Sequence, residues 1–193
     1  TDVQLINLKE FPIHGISSNS IEADKTYEID TLILATGFDA MTGALTSIDI
    51  IGRGGAKLKD QWETGAKSYL GLGIANFPNL FTVTGPGSPS VLSNMMPSIE
   101  QHVNWITDCI DWMETNDKKV IESSKTAEDE WMVLVNEIAD MTIFTDTKSW
   151  YNGSNIDTKA KAFLPFIGVP VYKEMLEEVV TEDYKGFIFD RPN

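Results

Sequence analysis

The sequence has few of the residues that build disulfide-rich, metal-binding or basic proteins. Its one cysteine, Cys109, excludes an internal disulfide framework, and no closely spaced Cys and His residues indicate a zinc site. Only 15 Lys and Arg oppose 29 Asp and Glu, so the net charge of −14 would repel a nucleic-acid backbone or an anionic membrane surface. We therefore expect no metal, no nucleic-acid partner and a reducing, cytoplasmic location.

Long apolar runs are also absent. No stretch reaches the roughly 18 apolar residues of a membrane span, and the N-terminus has no signal-peptide pattern. The chain begins at Thr1 and enters a strand-like stretch, Val3 to Asn7, at once, which favours a piece of a longer polypeptide. With 193 residues, 42% of them hydrophobic, the chain can still bury one sizeable core.

Strand patterns dominate the first part of the sequence. Besides residues 3–7, we predict strands at residues 27–29, 31–35 and 80–84. The last two are continuous apolar runs without alternation, which is typical of strands buried on both faces of a parallel sheet. Between residues 39 and 66 the glycine-rich sequence predicts connecting loops.

Three helices are predicted downstream, each from apolar residues at three- and four-residue spacing. In the second we expect Thr126 to be the N-cap and the acidic run 128–130 to be a solvated first turn. Pro170 is expected to open the third. The predicted inward-facing stripes are Ile99, Val103, Ile106, Ile110 and Met113; then Trp131, Leu134, Val135, Ile138 and Met141; then Val171, Met175, Leu176 and Val179.

Glycine pairs occur in three places, but none predicts a phosphate-binding loop. Gly71 and Gly73 precede a predicted strand instead of following one into a helix, and proline interrupts the stretch 85–89. The stretch 52–55 has no strand before it. His14 and His102 lack an evident catalytic partner, so we interpret both as structural.

The small residues Ala35, Thr36 and Gly37 end the predicted strand 31–35, where ligands of open α/β sheets bind. On position alone, a strand followed by a tight turn is the simpler interpretation. This segment, however, resembles the Ala-Thr-Gly strand end of flavin-dependent monooxygenases with two dinucleotide-binding domains. Further blocks in the same order are similar to Baeyer–Villiger monooxygenases of the phenylacetone and cyclohexanone type: 68–71, 77–81, 85–90, 92–95, 98–102 and 149–151 with Gly153 and Asn155.

The resemblance implies an α/β fold that is a fragment of such a flavoprotein. Residues 1–38 would be the last strands of the NADPH-binding domain, and residues 39–193 the C-terminal half of the FAD-binding domain, including a control loop at about 147–161. The implied cofactors are FAD and NADPH, and the implied substrates are a ketone and O₂. The implied cofactor-binding residues are Asn94, Met95, Trp150, Thr36 and Gly37, and the implied substrate-pocket residues are Ser90, Val91 and Leu92.

Parts of the family pattern are missing from this sequence, namely the glycine-rich FAD and NADPH motifs and the arginine that stabilises the oxygenated flavin. We therefore expect no catalytic residue within the chain, an inactive isolated fragment, and the N-terminal remainder of the same polypeptide as its partner. Two alternatives stay open. One is an N-hydroxylating or sulfur-oxidising flavin monooxygenase, which we expect to share the Ala-Thr-Gly strand but not the later blocks; the other is a non-catalytic module derived from a flavoprotein.

Overall fold

The described elements begin with short antiparallel strands, and long helices follow with two further short strands among them. A computed structural model describes residues 3–36, 39–40, 42–89, 93–143 and 168–190. The chain divides into two compact units, Thr1–Gly37 and Phe38–Asn193. The long helices all belong to the second unit.

The first unit contains a three-stranded antiparallel sheet. Its strands are β1 (Gly15–Ile16), β2 (Ser20–Glu22) and β3 (Thr26–Glu28), in the order β1-β2-β3. Ile21 of β2 lies opposite Ile16 of β1 and Tyr27 of β3. The predicted strand at 27–29 is therefore present, shifted by one residue.

Two other strand predictions for this unit were wrong. Residues 3–7 and 31–36 are in no strand, and Leu5 and Ile33 are 97% and 82% exposed. A continuous apolar run becomes a buried strand only when neighbouring strands pair with it. Within the described residues, nothing pairs with either run, so their apolar side chains remain on the surface.

The second unit begins with small elements and continues with long helices. The small elements are α1 (Gly43–Thr46), a 3₁₀ turn (Arg53–Gly55) and α2 (Leu58–Gln61), so the predicted loop region contains short helical turns. The long helices are α3 (Met95–Thr115), α4 (Lys125–Asp140) and α5 (Val169–Thr181). Strands β4 (Ile121–Ser123) and β5 (Phe187–Phe189) pair antiparallel beside them. None of the described helices is long and apolar enough to cross a membrane.

Helix α3 exists where its periodicity predicted it, but its buried face overlaps the predicted stripe only in part: Met113 is buried and Ile106 packs against the core. Its buried residues, all four or three positions apart, are Ser98, His102, Trp105, Cys109 and Met113. Val103 and Ile110 of the predicted stripe are 46% and 44% exposed. The helix thus has two apolar stripes, and the second, which contains Met96, Val103 and Ile110, faces outward in this chain.

Helix α4 differs from its prediction at its start. Its N-cap is Ser124, whose hydroxyl accepts a hydrogen bond from the Ala127 amide, so Thr126 lies inside the helix. Glu128 is fully buried, and its Oε1 accepts a hydrogen bond from the Ala75 amide at 3.0 Å. The prediction that residues 128–130 form a solvated turn was therefore wrong for Glu128. Burial raises the pKa of its carboxyl group.

Other predicted stripe positions are exposed as well. Met141 lies just beyond α4 and is 79% exposed, and Val171 of α5 is 48% exposed. Pro170 is in the first turn of α5, as predicted, where its missing N–H breaks no helical hydrogen bond. Helix α5 buries Tyr172, Leu176 and Val179 instead of the full predicted set.

Two apolar clusters hold the second unit together. The larger joins α3, α4, α5 and the β4–β5 pair, and the smaller surrounds Leu58, Trp62 and Phe77. The predicted buried strand at 80–84 is present only as one isolated bridge between Phe81 and Gly73. The chain turns directly after it, and Thr84 has a φ of 49°.

Candidate functional site

Two glycine-containing loops, residues 68–73 and 82–89, pack against each other, and the second contacts His102 of α3. Most of these residues are buried, whereas Val83 is exposed. A Cβ atom on Gly71 would lie 2.8 Å from the Ser88 amide nitrogen, and one on Gly85 would lie 2.7 Å from the Gly71 carbonyl oxygen. The backbones therefore approach as closely as glycine permits. These glycines serve backbone packing, which agrees with the sequence argument against phosphate loops.

Buried side chains tie the two loops together and to α4. The Thr82 hydroxyl donates to the Gly71 carbonyl at 2.8 Å, and the Ser68 hydroxyl donates to the Pro86 carbonyl. The Trp131 indole N–H of α4 donates to the Gly87 carbonyl at 2.9 Å. The path of the loop toward α3 is thus fixed by hydrogen bonds as well as by apolar packing.

Trp131→Phe should destabilise the chain because it removes the donor to the Gly87 carbonyl while keeping an aromatic ring. Loss of a buried hydrogen-bond partner costs about 1–3 kcal/mol. Urea unfolding followed by circular dichroism would measure the change. Trp112→Phe is the matched control, since Trp112 is only half-buried; an equal loss in both variants would contradict a special role for the Gly87 contact.

His102 of α3 connects these loops to α5. Its Nδ1 accepts a hydrogen bond from the Thr84 amide at 3.0 Å, and its Nε2 lies 2.8 Å from the Tyr172 hydroxyl oxygen. The Tyr172 hydroxyl donates to the Leu70 carbonyl. Because Nδ1 accepts, the neutral imidazole carries its proton on Nε2 and donates it to Tyr172. Burial lowers the pKa of His102 to about 4, so the ring is neutral at physiological pH.

Helix α3 begins at Met95, and Ser93 and Asn94 before it contact the loop and the helix. Asn94 is its N-cap, and the Asn94 Oδ1 accepts from the Met96 amide at 3.1 Å. The Ser93 hydroxyl donates to the Pro89 carbonyl at 3.1 Å and lies 3.1 Å from the Ser98 hydroxyl. Met95 is the first helical residue, so its amide has no intrahelical carbonyl to donate to. The end of a 21-residue helix there favours negative charge.

Of the predicted site residues, the structure describes Asn94 and Met95 in the second unit and Thr36 in the first. Asn94 is exposed and Met95 is half-buried, side by side at the start of α3. Thr36 is exposed and belongs to the first unit. Gly37, Ser90, Val91, Leu92 and Trp150 lie outside the described residues, and so does the control loop at about 147–161.

Sequence reasoning missed the polar groups that hold this site. His102 was interpreted as structural without a partner, and Glu128 was expected in solvent. A signal existed for both, because His102 has helical spacing with Ser98 and Trp105, and Glu128 has it with Trp131. Within the described residues, no group of three or more His, Cys, Asp and Glu side chains could hold a metal ion.

Known proteins resemble this chain over almost its entire length. No family model matches it. A Baeyer–Villiger monooxygenase of Pseudooceanicola batsensis is 38% identical over 193 residues, which are 98% of this chain and 35% of that protein. The phenazine N-monooxygenase PhzNO1 of Lysobacter antibioticus is 40% identical over 97% of this chain and 35% of its own length.

Solved structures agree with the sequence relatives. A cyclohexanone monooxygenase from Rhodococcus sp. Phi1, bound to NADP+, has a TM-score of 0.89 at 37% identity. OTEMO in complex with FAD and NADP has a TM-score of 0.89 at 31% identity. Each match covers 97% of this chain and 35% of the other.

This chain resembles one third of a Baeyer–Villiger monooxygenase. The predicted resemblance is confirmed, and so is the predicted α/β fold class, that of a fragment of a flavoprotein with two dinucleotide-binding domains. The chain spans about 35% of the length of the relatives that it matches. Because an N-monooxygenase also matches 97% of the chain, overall similarity alone does not distinguish ketone oxidation from nitrogen oxidation.

Proposed function

We propose that this chain is the C-terminal part of a cytoplasmic, FAD- and NADPH-dependent Baeyer–Villiger monooxygenase. The reaction converts a ketone, O₂, NADPH and a proton into an ester or lactone, water and NADP+. The observation that carries the proposal is the 38% identity to a Baeyer–Villiger monooxygenase over 98% of the chain. The chain alone is inactive, because its sequence has neither the glycine-rich cofactor motifs nor the family's arginine.

The start of α3 is the part of the described structure that fits a flavin. The Asn94 Oδ1 accepts in the helix cap, and the backbone amide of Met95, which has no intrahelical acceptor, is the donor that we assign to a flavin carbonyl. The positive end of α3 stabilises negative charge on reduced flavin. When bound, FAD and NADPH supply the redox chemistry, while this chain orients the flavin and excludes water from it.

The remaining site assignments rest on the resemblance. Thr36 and Gly37 contact cofactor from the Ala-Thr-Gly segment, and Trp150 does so from the control loop at about 147–161. The substrate pocket is formed by Ser90, Val91 and Leu92. The catalytic arginine is contributed by the N-terminal remainder of the polypeptide.

We assign residues 1–38 to the NADPH-binding domain and residues 39–193 to the FAD-binding domain. The division of the chain between residues 37 and 38 supports this assignment. The outward stripe of α3 (Met96, Val103 and Ile110) supports a further packing partner, because a helix with apolar residues on two sides normally buries both. The N-terminal remainder is the partner that fits this stripe.

Nitrogen oxidation is the second candidate function. It is favoured by the 40% identity to a phenazine N-monooxygenase. Both reactions require the same cofactors and differ in the acceptor of the oxygen atom. Product analysis therefore separates them, since a ketone gives an ester or lactone and a phenazine gives an N-oxide.

A chimera tests the proposal directly. In it, this chain replaces the matching third of the Pseudooceanicola batsensis relative. We expect the purified chimera to retain FAD, to consume NADPH in the presence of a ketone and to form the ester or lactone, as identified by mass spectrometry. A folded chimera that binds no flavin would contradict the proposal. Formation of an N-oxide without an ester would favour nitrogen oxidation.

Val103→Asp in the chimera tests the outward stripe. The exposed position should tolerate a carboxylate in the isolated chain, so its circular dichroism and melting temperature should change little. In the chimera, the same carboxylate would be buried against the N-terminal part, and we expect loss of FAD and of soluble protein. Val133→Asp, at a 57% exposed position of α4, is the matched control.

A further inference from the structure

The Thr84 backbone adopts an unfavourable conformation at the point where the chain enters the loop 85–89. Its φ of 49° is in the left-handed region, which β-branched residues strongly disfavour. Such a conformation persists only when surrounding contacts enforce it. The hydrogen bond from the Thr84 amide to His102 Nδ1, at 3.0 Å, is a contact at this same residue.

The imidazole that receives this hydrogen bond is itself held in place. His102 is 1% exposed, and Tyr172, also 1% exposed, lies 2.8 Å from its Nε2. Since the Tyr172 hydroxyl donates to the Leu70 carbonyl, its oxygen is left to accept from Nε2–H. A neutral ring with its proton on Nε2 accepts from the Thr84 amide through Nδ1 and donates to the Tyr172 hydroxyl oxygen. This arrangement therefore selects one tautomer and orients Nδ1 toward Thr84.

We propose that His102 is a positioning residue: its neutral imidazole, oriented by Tyr172, holds Thr84 in the left-handed conformation and thereby sets the loop 85–89 that leads to the flavin-facing start of α3. The loop and the helix start are joined at their other end, because the Ser93 hydroxyl donates to the Pro89 carbonyl. A change at Thr84 is thus transmitted through the buried residues 85–89 to Ser93, which directly precedes Asn94 and Met95. The inference rests on the proposed function for its consequence in flavin binding.

Two amide variants separate the roles of the two ring nitrogens. His102→Asn places an acceptor near the position of Nδ1 and loses the contact with Tyr172. His102→Gln reaches toward Tyr172 and loses the acceptor for Thr84. In the chimera we expect His102→Gln to weaken FAD binding about 10-fold, the usual effect of one buried hydrogen bond, and His102→Asn to weaken it less.

Thr84→Gly supplies the decisive comparison. Glycine adopts a φ near 50° without steric cost, so it should not need the hydrogen bond to His102. We expect Thr84→Gly to restore most of the FAD affinity that His102→Gln loses. A histidine that merely fills space in the core would not be rescued in this way. Unchanged affinity in His102→Gln, or a loss that Thr84→Gly fails to restore, overturns the proposal.

Amide hydrogen exchange in the isolated chain makes the test independent of flavin. His102→Gln should increase exchange at Thr84 and in the loop 85–88 more than in α4, whereas His102→Asn should not. If the unaltered chimera binds no FAD, the proposed function fails, and the exchange pattern then decides the positioning role alone. Equal exchange at the Thr84 amide in the unaltered chain and in His102→Gln would rule out the positioning role of His102.

Discussion

Gly71→Ala is expected to prevent stable folding of the second unit. The new Cβ would lie 2.5 Å from the Ser88 Cβ and 2.8 Å from the Ser88 amide nitrogen, closer than such atoms come in proteins. Ser88 cannot retreat easily, because its hydroxyl donates to the Gly85 carbonyl at 2.8 Å and the residue is 1% exposed. We expect a loss above about 4 kcal/mol, which is most of the stability of an ordinary domain.

Gly54→Ala is the control for this prediction. Gly54 has a φ of 61°, close to the 72° of Gly71, but no atom lies within 4 Å of its hypothetical Cβ. The free energy of unfolding of its alanine variant should therefore fall only by the conformational penalty of about 1–2 kcal/mol. Urea unfolding of both variants, with solubility recorded, distinguishes steric exclusion from backbone strain. Similar losses in the two variants would show that the approach of the two loops is looser than described.

The long helices could be predicted from the sequence because apolar spacing reports helix period directly. The buried face of α3 could not, since residues on two sides of this helix are apolar. Spacing identifies both stripes, but it cannot tell which one meets a partner within the chain. Here Trp105, Cys109 and Met113 meet the larger core, while Val103 and Ile110 do not.

The prediction of a strand at residues 31–35 was wrong for a related reason. The run 31–35 has the composition of a central strand, yet a strand depends on neighbours that local sequence does not specify. Ile33 is 82% exposed in this chain because no described residue pairs with it. Helices satisfy their backbone hydrogen bonds internally, so they form without such neighbours.

The candidate site could be predicted only through resemblance. Composition and spacing alone gave Asn94 and Met95 no special status, and the capped helix start explains their position only after folding. The polar contacts of His102 and Glu128 join residues far apart in the sequence: Glu128 accepts from Ala75, and His102 lies against Tyr172. Helical spacing indicates that these two residues are buried, but it does not identify hydrogen-bond partners at such separations. The assignments at residues 36, 37, 90–92 and 150 remain predictions.

The stability of this chain should fall as the pH decreases from about 6.5 to about 4, in part because of His102. The pKa of this residue is lowered by burial to about 4 from an ordinary value of 6.5. Within that interval the unfolded chain binds a proton that the folded chain excludes, so acid favours unfolding. The stabilisation is fully present above the unfolded pKa and is lost toward the folded one. A difference of about 2.5 corresponds to roughly 3 kcal/mol.

Glu128 has the opposite effect on the pH dependence of stability, so the experiment must separate its contribution from that of His102. Its folded pKa is raised by burial, so its stabilising contribution is present below pH 4.5 and is lost as the pH rises. Urea unfolding of the unaltered chain and of His102→Gln, at the same series of pH values, cancels this contribution and that of the other carboxylates. We expect the stability difference between the two proteins to shrink as the pH falls below 6.5. Parallel profiles, or an imidazole NMR signal that titrates near the ordinary value, would show that His102 is open to solvent and that its hydrogen bond to Thr84 does not hold the loop.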